Sequence, residues 1–383
     1  MSEEPQNGIF RPDWVYNEEE VPTYQNFLND WREFVRLVGA AKASKYMKEA
    51  HADWPPQVVA LDLSSKCNLK CPICRYHGDD PAEELYAGRS SEVDEFVQFI
   101  QSAGGAKTIA FGVMAEPFLH KNIWEALDRL RPLCQDFSFS TNALPLTEQK
   151  IAKLADYPVK IIHVSCDAGD EDGYRKWRSG GRFDQFIEKL ELLVKQFGEK
   201  INFHSVVFAQ NRESLLKAPA LLKELGVSIL EMASLFETVV SRRNGLRRLE
   251  GQELRDFLVE MLNECERCGI RFSYGNHLLK PEDAEWLHAE TGGKLGCDSH
   301  VLKIGKGVCQ MPWSYLGFEP DGPVSPCCGG GVEGFHTNKN PYDMPAEMLF
   351  NSTSILILRA MKLAGYTPRV CRENCFKHYD FTG

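Results

Sequence analysis

The chain has 383 residues, of which 43% are hydrophobic and 26% charged, enough apolar material for two domains or one large barrel with an appendage. Its formal net charge of −10 argues against a broad electrostatic grip on nucleic-acid phosphates. No apolar run reaches the ~18 residues of a membrane span, and the polar start Met1-Ser2-Glu3-Glu4-Pro5 predicts no signal peptide. Thirteen cysteines in such a chain point to metal or redox chemistry in a reducing, cytoplasmic setting rather than to a disulfide framework.

Residues 1–20 are polar with scattered aromatics and read as an irregular arm. From Thr23, a plausible N-cap, Tyr24, Phe27, Leu28, Trp31, Phe34, Val35 and Val38 recur at helical spacing. A second helical stretch runs to about Ala50, and Trp54-Pro55-Pro56 closes an N-terminal helical extension over 1–55. Strand-like runs then fall near 58–63, 107–111, 136–140, 160–165, 201–208 and 227–231. Helix-period stretches follow them near 92–103, 121–131, 147–156, 183–196, 212–224 and 251–267. Six β-then-α units imply an α/β fold with a parallel sheet and right-handed crossovers. Pattern alone fits a doubly wound sheet as well as a barrel.

Cys67, Cys71 and Cys74 follow the first strand at C-x₃-C-x₂-C spacing. Three thiolates can hold three irons of a [4Fe–4S] cluster and leave the fourth iron without a protein ligand. Zinc also takes cysteines two apart, but a closed zinc site wants a fourth ligand, and the nearest candidate is the single His77.

The motif and its position resemble the radical S-adenosylmethionine (SAM) superfamily. That resemblance selects a partial (β/α)₆ TIM-like barrel over 56–289, with its chemistry at the strand C-termini. It implies a [4Fe–4S] cluster on Cys67, Cys71 and Cys74 that binds SAM. Gly112-Val113-Met114-Ala115-Glu116-Pro117 resembles the family's Gly-Gly-Glu-Pro loop, which contacts the methionine amine of SAM. One glycine is replaced, so only Gly112, Glu116 and Pro117 carry over. Ser140 and Asn142 after strand three, and Ser165 and Asp167 after strand four, resemble positions that approach SAM. Arg178 matches an arginine that pairs with a carboxylate, and Ile73 stands where relatives often carry an aromatic near adenine. Asn211, Glu231 and Ser234 are generic pocket candidates. The basic stretch Arg242 to Arg248 is either a substrate-anion site or a solvated loop.

Beyond about residue 290 the rhythm changes. Tyr315 to Phe318 and the Pro320-Asp321-Gly322 turn read as a hairpin bringing Cys309 and Cys327 together. A helical stretch at Ile355 to Leu363 precedes Cys371 and Cys375. These features resemble the SPASM/twitch auxiliary-cluster domain, in its shorter single-cluster form. The resemblance implies a small α+β domain over 290–383 whose second [4Fe–4S] cluster sits on Cys309, Cys327, Cys371 and Cys375, leaving Cys328 over.

On this reading, reductive cleavage of SAM gives a 5′-deoxyadenosyl radical that abstracts hydrogen from a substrate carbon. Oxidation or epimerisation of a small polar metabolite such as a sugar or cyclitol follows. The N-terminal pattern is unlike the winged-helix module of many peptide-modifying relatives, so peptide epimerisation or crosslinking is the second reading. A noncatalytic iron–sulfur or zinc protein is the outside alternative. The partners implied are the substrate and an electron donor such as flavodoxin or ferredoxin, with no membrane and no nucleic acid. Cys297, Cys268 and Cys166 are candidate hydrogen-donor thiols, although Cys166 should point away from Ser165 and Asp167.

Overall fold

The computed structural model describes residues 21–64, 66–74, 77–78, 93–235, 239–275, 286, 289–291, 309–318, 324–327, 342, 344–366, 368 and 371. The arm expected over 1–20 lies outside them. Two helices come first, α1 (Val21–Val38) and α2 (Ala40–Glu49). Gly39 parts them at φ 84°, a conformation that costs glycine little.

Six strands follow: β1 (Val58–Leu61), β2 (Ala106–Phe111), β3 (Cys134–Thr141), β4 (Val159–Ser165), β5 (Ile201–Val207) and β6 (Ile229–Ser234). Between β1 and β4 run α3 (Val93–Ser102), α4 (Ile123–Leu130) and α5 (Glu148–Leu154). After β4 come α6 (Glu171–Trp177) and α7 (Phe183–Phe197), then α8 (Arg212–Leu215) and α9 (Ala218–Leu225) before β6. The chain continues through α10 (Val239–Arg243), α11 (Gly251–Cys268) and β7 (Arg271–Gly275). It ends with α12 (Met311–Ser314), β8 (Tyr315–Phe318), β9 (Val324–Ser325), α13 (Ala346–Phe350) and α14 (Thr353–Leu363).

The sheet order is β7-β6-β5-β4-β3-β2-β1-β8-β9, and all neighbours are parallel except the β8–β9 hairpin. This is the expected α/β partial barrel, open at both edges. Two features go beyond the sequence reading. β7 is a seventh strand that continues the parallel run. β8 pairs in register with β1, Val58 opposite Tyr315 and Leu61 opposite Phe318, so the expected hairpin extends the barrel sheet instead of standing apart. The otherwise unpaired backbone edge of β1 is thereby satisfied.

Alternation divides each strand between two faces. On β4, Ile162 and Val164 are buried under the helices, whereas Ile161, His163 and Ser165 face the lumen and are only half-buried. The outer layer is rich in aromatics: Phe111 stacks on Phe139 at 5.6 Å, and Phe118 lies 5.4 Å from Phe139.

The two ends of the chain share one apolar cluster. Phe34 and Ala43 of the N-terminal helices pack with Ile357, Leu358 and Met361 of α14. Arg359, on the same helix and fully buried, ties the layer to the barrel. Its Nε donates to Pro312 O at 2.8 Å, and its Nη1 donates to Asn351 Oδ1 at 2.9 Å and to Ala50 O at 3.3 Å. Its guanidinium also lies 4.2 Å from the Phe350 ring centroid. Burial pushes its pKa down, to about 9, which leaves it charged at neutral pH. Arg359→Met keeps the apolar stem but removes these bonds, each charge-assisted and worth about 1.5–3 kcal/mol, leaving Asn351 Oδ1 its second donor, Ala52 N. A loss of about 2–4 kcal/mol is expected, read as a lower urea midpoint; an unchanged midpoint would show that the guanidinium does not tie the layers.

Candidate functional site

The C-terminal ends of the strands are held by side chains that accept main-chain amides from the neighbouring loop. Asp62, just past β1, accepts from Gly112 N and Val113 N at 3.1 Å each and from Met114 N at 2.8 Å. Gly112 has φ 87°, and a Cβ there would lie 2.0 Å from Ser140 O, so only glycine lets β2 leave the sheet this close to β3. Glu116 accepts from Thr141 Oγ1 at 2.7 Å, from Asn142 N at 2.8 Å and from Phe118 N at 3.4 Å. Pro117 follows it, buried, at the start of a short 3₁₀ turn. Glu116 is 2% exposed, so its carboxylate is engaged by the chain itself.

The three-cysteine loop lies across this rim. Cys74 N donates to Cys71 O at 2.8 Å, closing a turn, and Lys70 N donates to Ser179 O at 2.9 Å. Asn142 Nδ2 stands 3.8 Å from Cys67 Sγ and donates to Asn68 Oδ1 at 2.9 Å. Arg178 Nη1 stands 3.9 Å from Cys71 Sγ. The Arg178 Nη2 lies 2.8 Å from Asp167 Oδ2 in a buried ion pair, while Asp167 Oδ1 accepts from Val206 N at 2.8 Å. Ile73 is half-buried and packs against the main core.

Burial pushes the Cys67 thiol up to about 11 and the Cys71 thiol up to about 12. Such thiols give up their protons readily only to a metal, which deprotonates a coordinating thiol outright. Desolvation works against the Arg178 charge, but Asp167 and Cys71 outweigh it and hold its pKa above the ordinary range. Burial raises Asp62 and Glu116 to about 7 each, against the pull of their amide donors.

Residues 61–228 match the radical SAM superfamily. The match runs from the end of β1 to the turn before β6. A curated relative named AdoMet-dependent heme synthase, from Methanosarcina barkeri, is 29% identical over 175 residues, 45% of this chain and 48% of that protein. A GTP 3′,8-cyclase from Aquifex aeolicus is 26% identical over 184 residues, 46% of this chain and 55% of the cyclase. The chain thus spans about half the length of these relatives. Among solved structures, Streptococcus suis SuiB bound to S-adenosylmethionine superposes with TM-score 0.59 at 15% identity, covering 82% of this chain and 69% of SuiB. Native anSMEcpe with bound AdoMet gives TM-score 0.58 at 21% identity, covering 78% of this chain and 81% of that one. These likenesses establish the fold.

The residues of the matched segment fit the cluster and SAM. Two N–H donors aim at the sulfurs of Cys67 and Cys71, which suits an anionic iron–sulfur group. Among the described residues no three His, Cys, Asp or Glu side chains form a site for a single metal ion; a cuboidal cluster spreads its thiolates over different irons. Ser140 and Ser165 are half-buried at the lumen side of their strand ends, and Asn142 and Asp167 are buried. Asn211 is a rim brace, donating to Asp167 O at 3.0 Å and Val206 O at 2.9 Å.

Two candidate thiols are corrected. Cys166 is fully buried, and its Sγ donates to Ala168 O at 3.3 Å. Cys268 is 8% exposed in the core with Cys265; it ends α11 just before β7 and so lies at the strand N-termini, away from the rim. Cys297, Cys328 and Cys375 lie outside the described residues. The basic stretch is structural in part, since Arg247 pairs with Glu253 at 2.6 Å and Arg248 Nε donates to Leu235 O at 3.0 Å. Glu231 is in the middle of β6, facing the lumen, because that strand runs Ile229–Ser234.

Cys309, Cys327 and Cys371 come from distant parts of the sequence, and the first two are near enough to raise the Cys371 thiol, which burial already pushes up, to about 11 in all. Cys309 precedes β8, and Cys327 leaves β9 in the same direction, toward the strand N-termini. This group therefore lies at the opposite end of the β1–β8 pair from Cys67, a strand of four residues or about 13 Å away at least. Sequence reading missed Asp62, Thr141, Asn202, His163 and His204; an acid five residues before the first cysteine was the one signal available.

Asp62→Asn tests the rim. A carboxyl raised on folding from 3.8 to about 7 contributes stability that is full below the lower value and lost as pH rises through the higher. Urea midpoints of the variant should therefore decline less than wild type between those values, with Glu116 keeping the remaining slope. An identical slope would remove Asp62 as a source.

Proposed function

We propose that the chain is a radical SAM enzyme that abstracts hydrogen from a carbon of a small polar metabolite, such as a sugar or cyclitol, leading to oxidation or epimerisation. The observation that carries this reading is the cradle itself: Cys67, Cys71 and Cys74 on one loop, with Asn142 and Arg178 aimed at two of the sulfurs. These three cysteines would hold a [4Fe–4S] cluster, with Gly112, Ile73, Ser140, Asn142, Ser165 and Arg178 forming the SAM side of the mouth and the buried Glu116, Pro117 and Asp167 bracing it from beneath. When bound, the cluster and SAM supply reductive cleavage to a hydrogen-abstracting 5′-deoxyadenosyl radical. The protein's part is orientation. Gly112 allows the close approach of the loop, Glu116 and Asp62 fix it, and the Arg178–Asp167 pair holds a positive charge beside Cys71.

Cys309, Cys327 and Cys371, with Cys375, would hold a second [4Fe–4S] cluster. Its place at the far end of β1 and β8 suits an electron conduit rather than direct contact with the carbon being attacked. This division leaves 56–289 as the SAM barrel, 290–383 as the auxiliary segment and 1–55 as the helical layer beneath. A flavodoxin or ferredoxin would supply electrons in a reducing cytoplasm. No helix among the described residues is long and apolar enough to cross a membrane.

The lumen favours a polar substrate. Barrel interiors are usually filled by bulky branched side chains, whereas this lumen presents Ser138, Ser140, His163, Ser165, His204 and Glu231, all half-buried. A peptide is the second reading. SuiB bound to precursor peptide SuiA superposes with TM-score 0.59, and a peptide side chain could enter the same lumen.

After anaerobic reconstitution, roughly eight irons per chain should fall to about four in the Cys67/Cys71/Cys74 triple-Ala variant. About four falling to none would remove the second cluster from the proposal. Cys67→Ala should abolish 5′-deoxyadenosine formation, while Cys309→Ala should spare unproductive cleavage and impair turnover; equal loss of cleavage would refute the division of labour. Product mass decides between outcomes: one solvent deuterium in D₂O marks epimerisation, and a product two hydrogens lighter without label marks oxidation.

A further inference from the structure

Deeper in the lumen, below the rim, β4, β5 and β6 bring four polar side chains together. His163 is opposite Asn202 in register, and His204 is opposite Glu231. Asn202 Nδ2 donates to Glu231 Oε2 at 2.6 Å, and His163 Nδ1 lies 3.6 Å from the same oxygen. The His163 and His204 rings meet edge to face at 6.1 Å.

Two atoms of this group are buried with no hydrogen-bond partner among the described residues: Asn202 Oδ1 and His163 Nδ1. Asn202 is 4% exposed, and leaving a buried amide oxygen unsatisfied is destabilising. The amide cannot turn to cure this, because its NH₂ end is committed to Glu231. The lumen nevertheless reaches solvent here, since 34% of the Glu231 side chain and 27% of His163 are accessible. Burial lowers both histidine pKa values, so each imidazole is neutral and offers one acceptor nitrogen. Two other acids that face the lumen are matched, Asp167 by Arg178 and Asp136 by Lys160. Among the described residues, His163 is the sole ion-pair neighbour of Glu231.

We propose that Glu231 and Asn202 Oδ1, beside the His163 ring, form a subsite for a primary ammonium group. The two Glu231 oxygens and Asn202 Oδ1 give three acceptors for the three N–H donors of an –NH₃⁺, and Glu231 supplies the countercharge. The inference rests on the radical SAM reading and narrows its substrate class to amine-bearing molecules. The ammonium belongs either to a small amino sugar or to a lysine side chain of a peptide.

Titration calorimetry on the reconstituted, SAM-bound full chain tests this without turnover. The probes are D-glucosamine, D-glucose and the peptide acetyl-Gly-Lys-Gly-amide. Glucosamine is expected to bind at least about tenfold more tightly than glucose, the value of one charge-assisted hydrogen bond. Glu231→Gln should erase that preference, and Asn202→Leu should weaken glucosamine while leaving glucose unchanged. Binding of the lysine peptide alone, lost in Glu231→Gln, would keep the subsite and assign it to a peptide. Equal binding of glucose and glucosamine, amine binding indifferent to both substitutions, or no binding of either amine would overturn it. Failure of the radical SAM reading would show separately, as absence of 5′-deoxyadenosine from SAM alone.

Discussion

Parallel strands that end at a common rim leave main-chain amides pointing into a mouth that must also hold reactive groups, and buried amides cannot go unpaired. In this protein, side chains from one strand end satisfy the amides of the next. Asp62 after β1 receives the loop after β2; Glu116 in that loop receives Asn142 after β3; Asp167 after β4 receives Val206 of β5. Asn211 returns the chain of bonds to Asp167 O. These bonds join the ends of β1, β2 and β3 in one run and those of β4 and β5 in another. Displacing one member moves the loop that the next one holds.

This arrangement explains why so much charge is buried at one end of the barrel. Asp62, Glu116 and Asp167 are all nearly inaccessible, and among the described residues only Asp167 has a cationic partner in contact, Arg178. The cost of burial is offset by amide donors, which fix geometry more tightly than solvent would. Arg178 and Asn142 reach from this rim to the sulfurs of the cysteine loop. A cluster held there would meet donors already in place, with little reorganisation.

The terminal segments reach the same end by a different route. β8 completes β1, Phe318 packs between Phe96 and Phe99 at ring distances of 5.5 and 5.1 Å, and Arg359 bonds the helical layer to the carbonyls of Ala50 and Pro312. Cys327 and Cys371 line the cluster formed by α1, α2 and α14. The N-terminal helices thus cover the thiols that the C-terminal segment gathers, and neither segment buries its apolar face alone.

Much of the fold was legible in the sequence because hydrophobic period survives translation into burial. The six strand positions, the α/β class and the C-terminal hairpin follow from alternation, helix spacing and a Pro-Asp-Gly turn. The cysteine spacing likewise announces its chemistry, since three thiols within eight residues can meet one cluster wherever the loop lies. Other features depend on which strand stands beside which, and no local pattern encodes that. The parallel pairing of β8 with β1 joins residues more than 250 positions apart, and β7, only five residues long, alternates Phe272 and Tyr274 with small or polar residues over too short a run to stand out. His163, Asn202 and Glu231 become one group through register across β4, β5 and β6 alone. Periodicity assigns a residue to a face; tertiary packing decided which polar residues share the lumen and which, like Cys268, lie at the other end of the barrel.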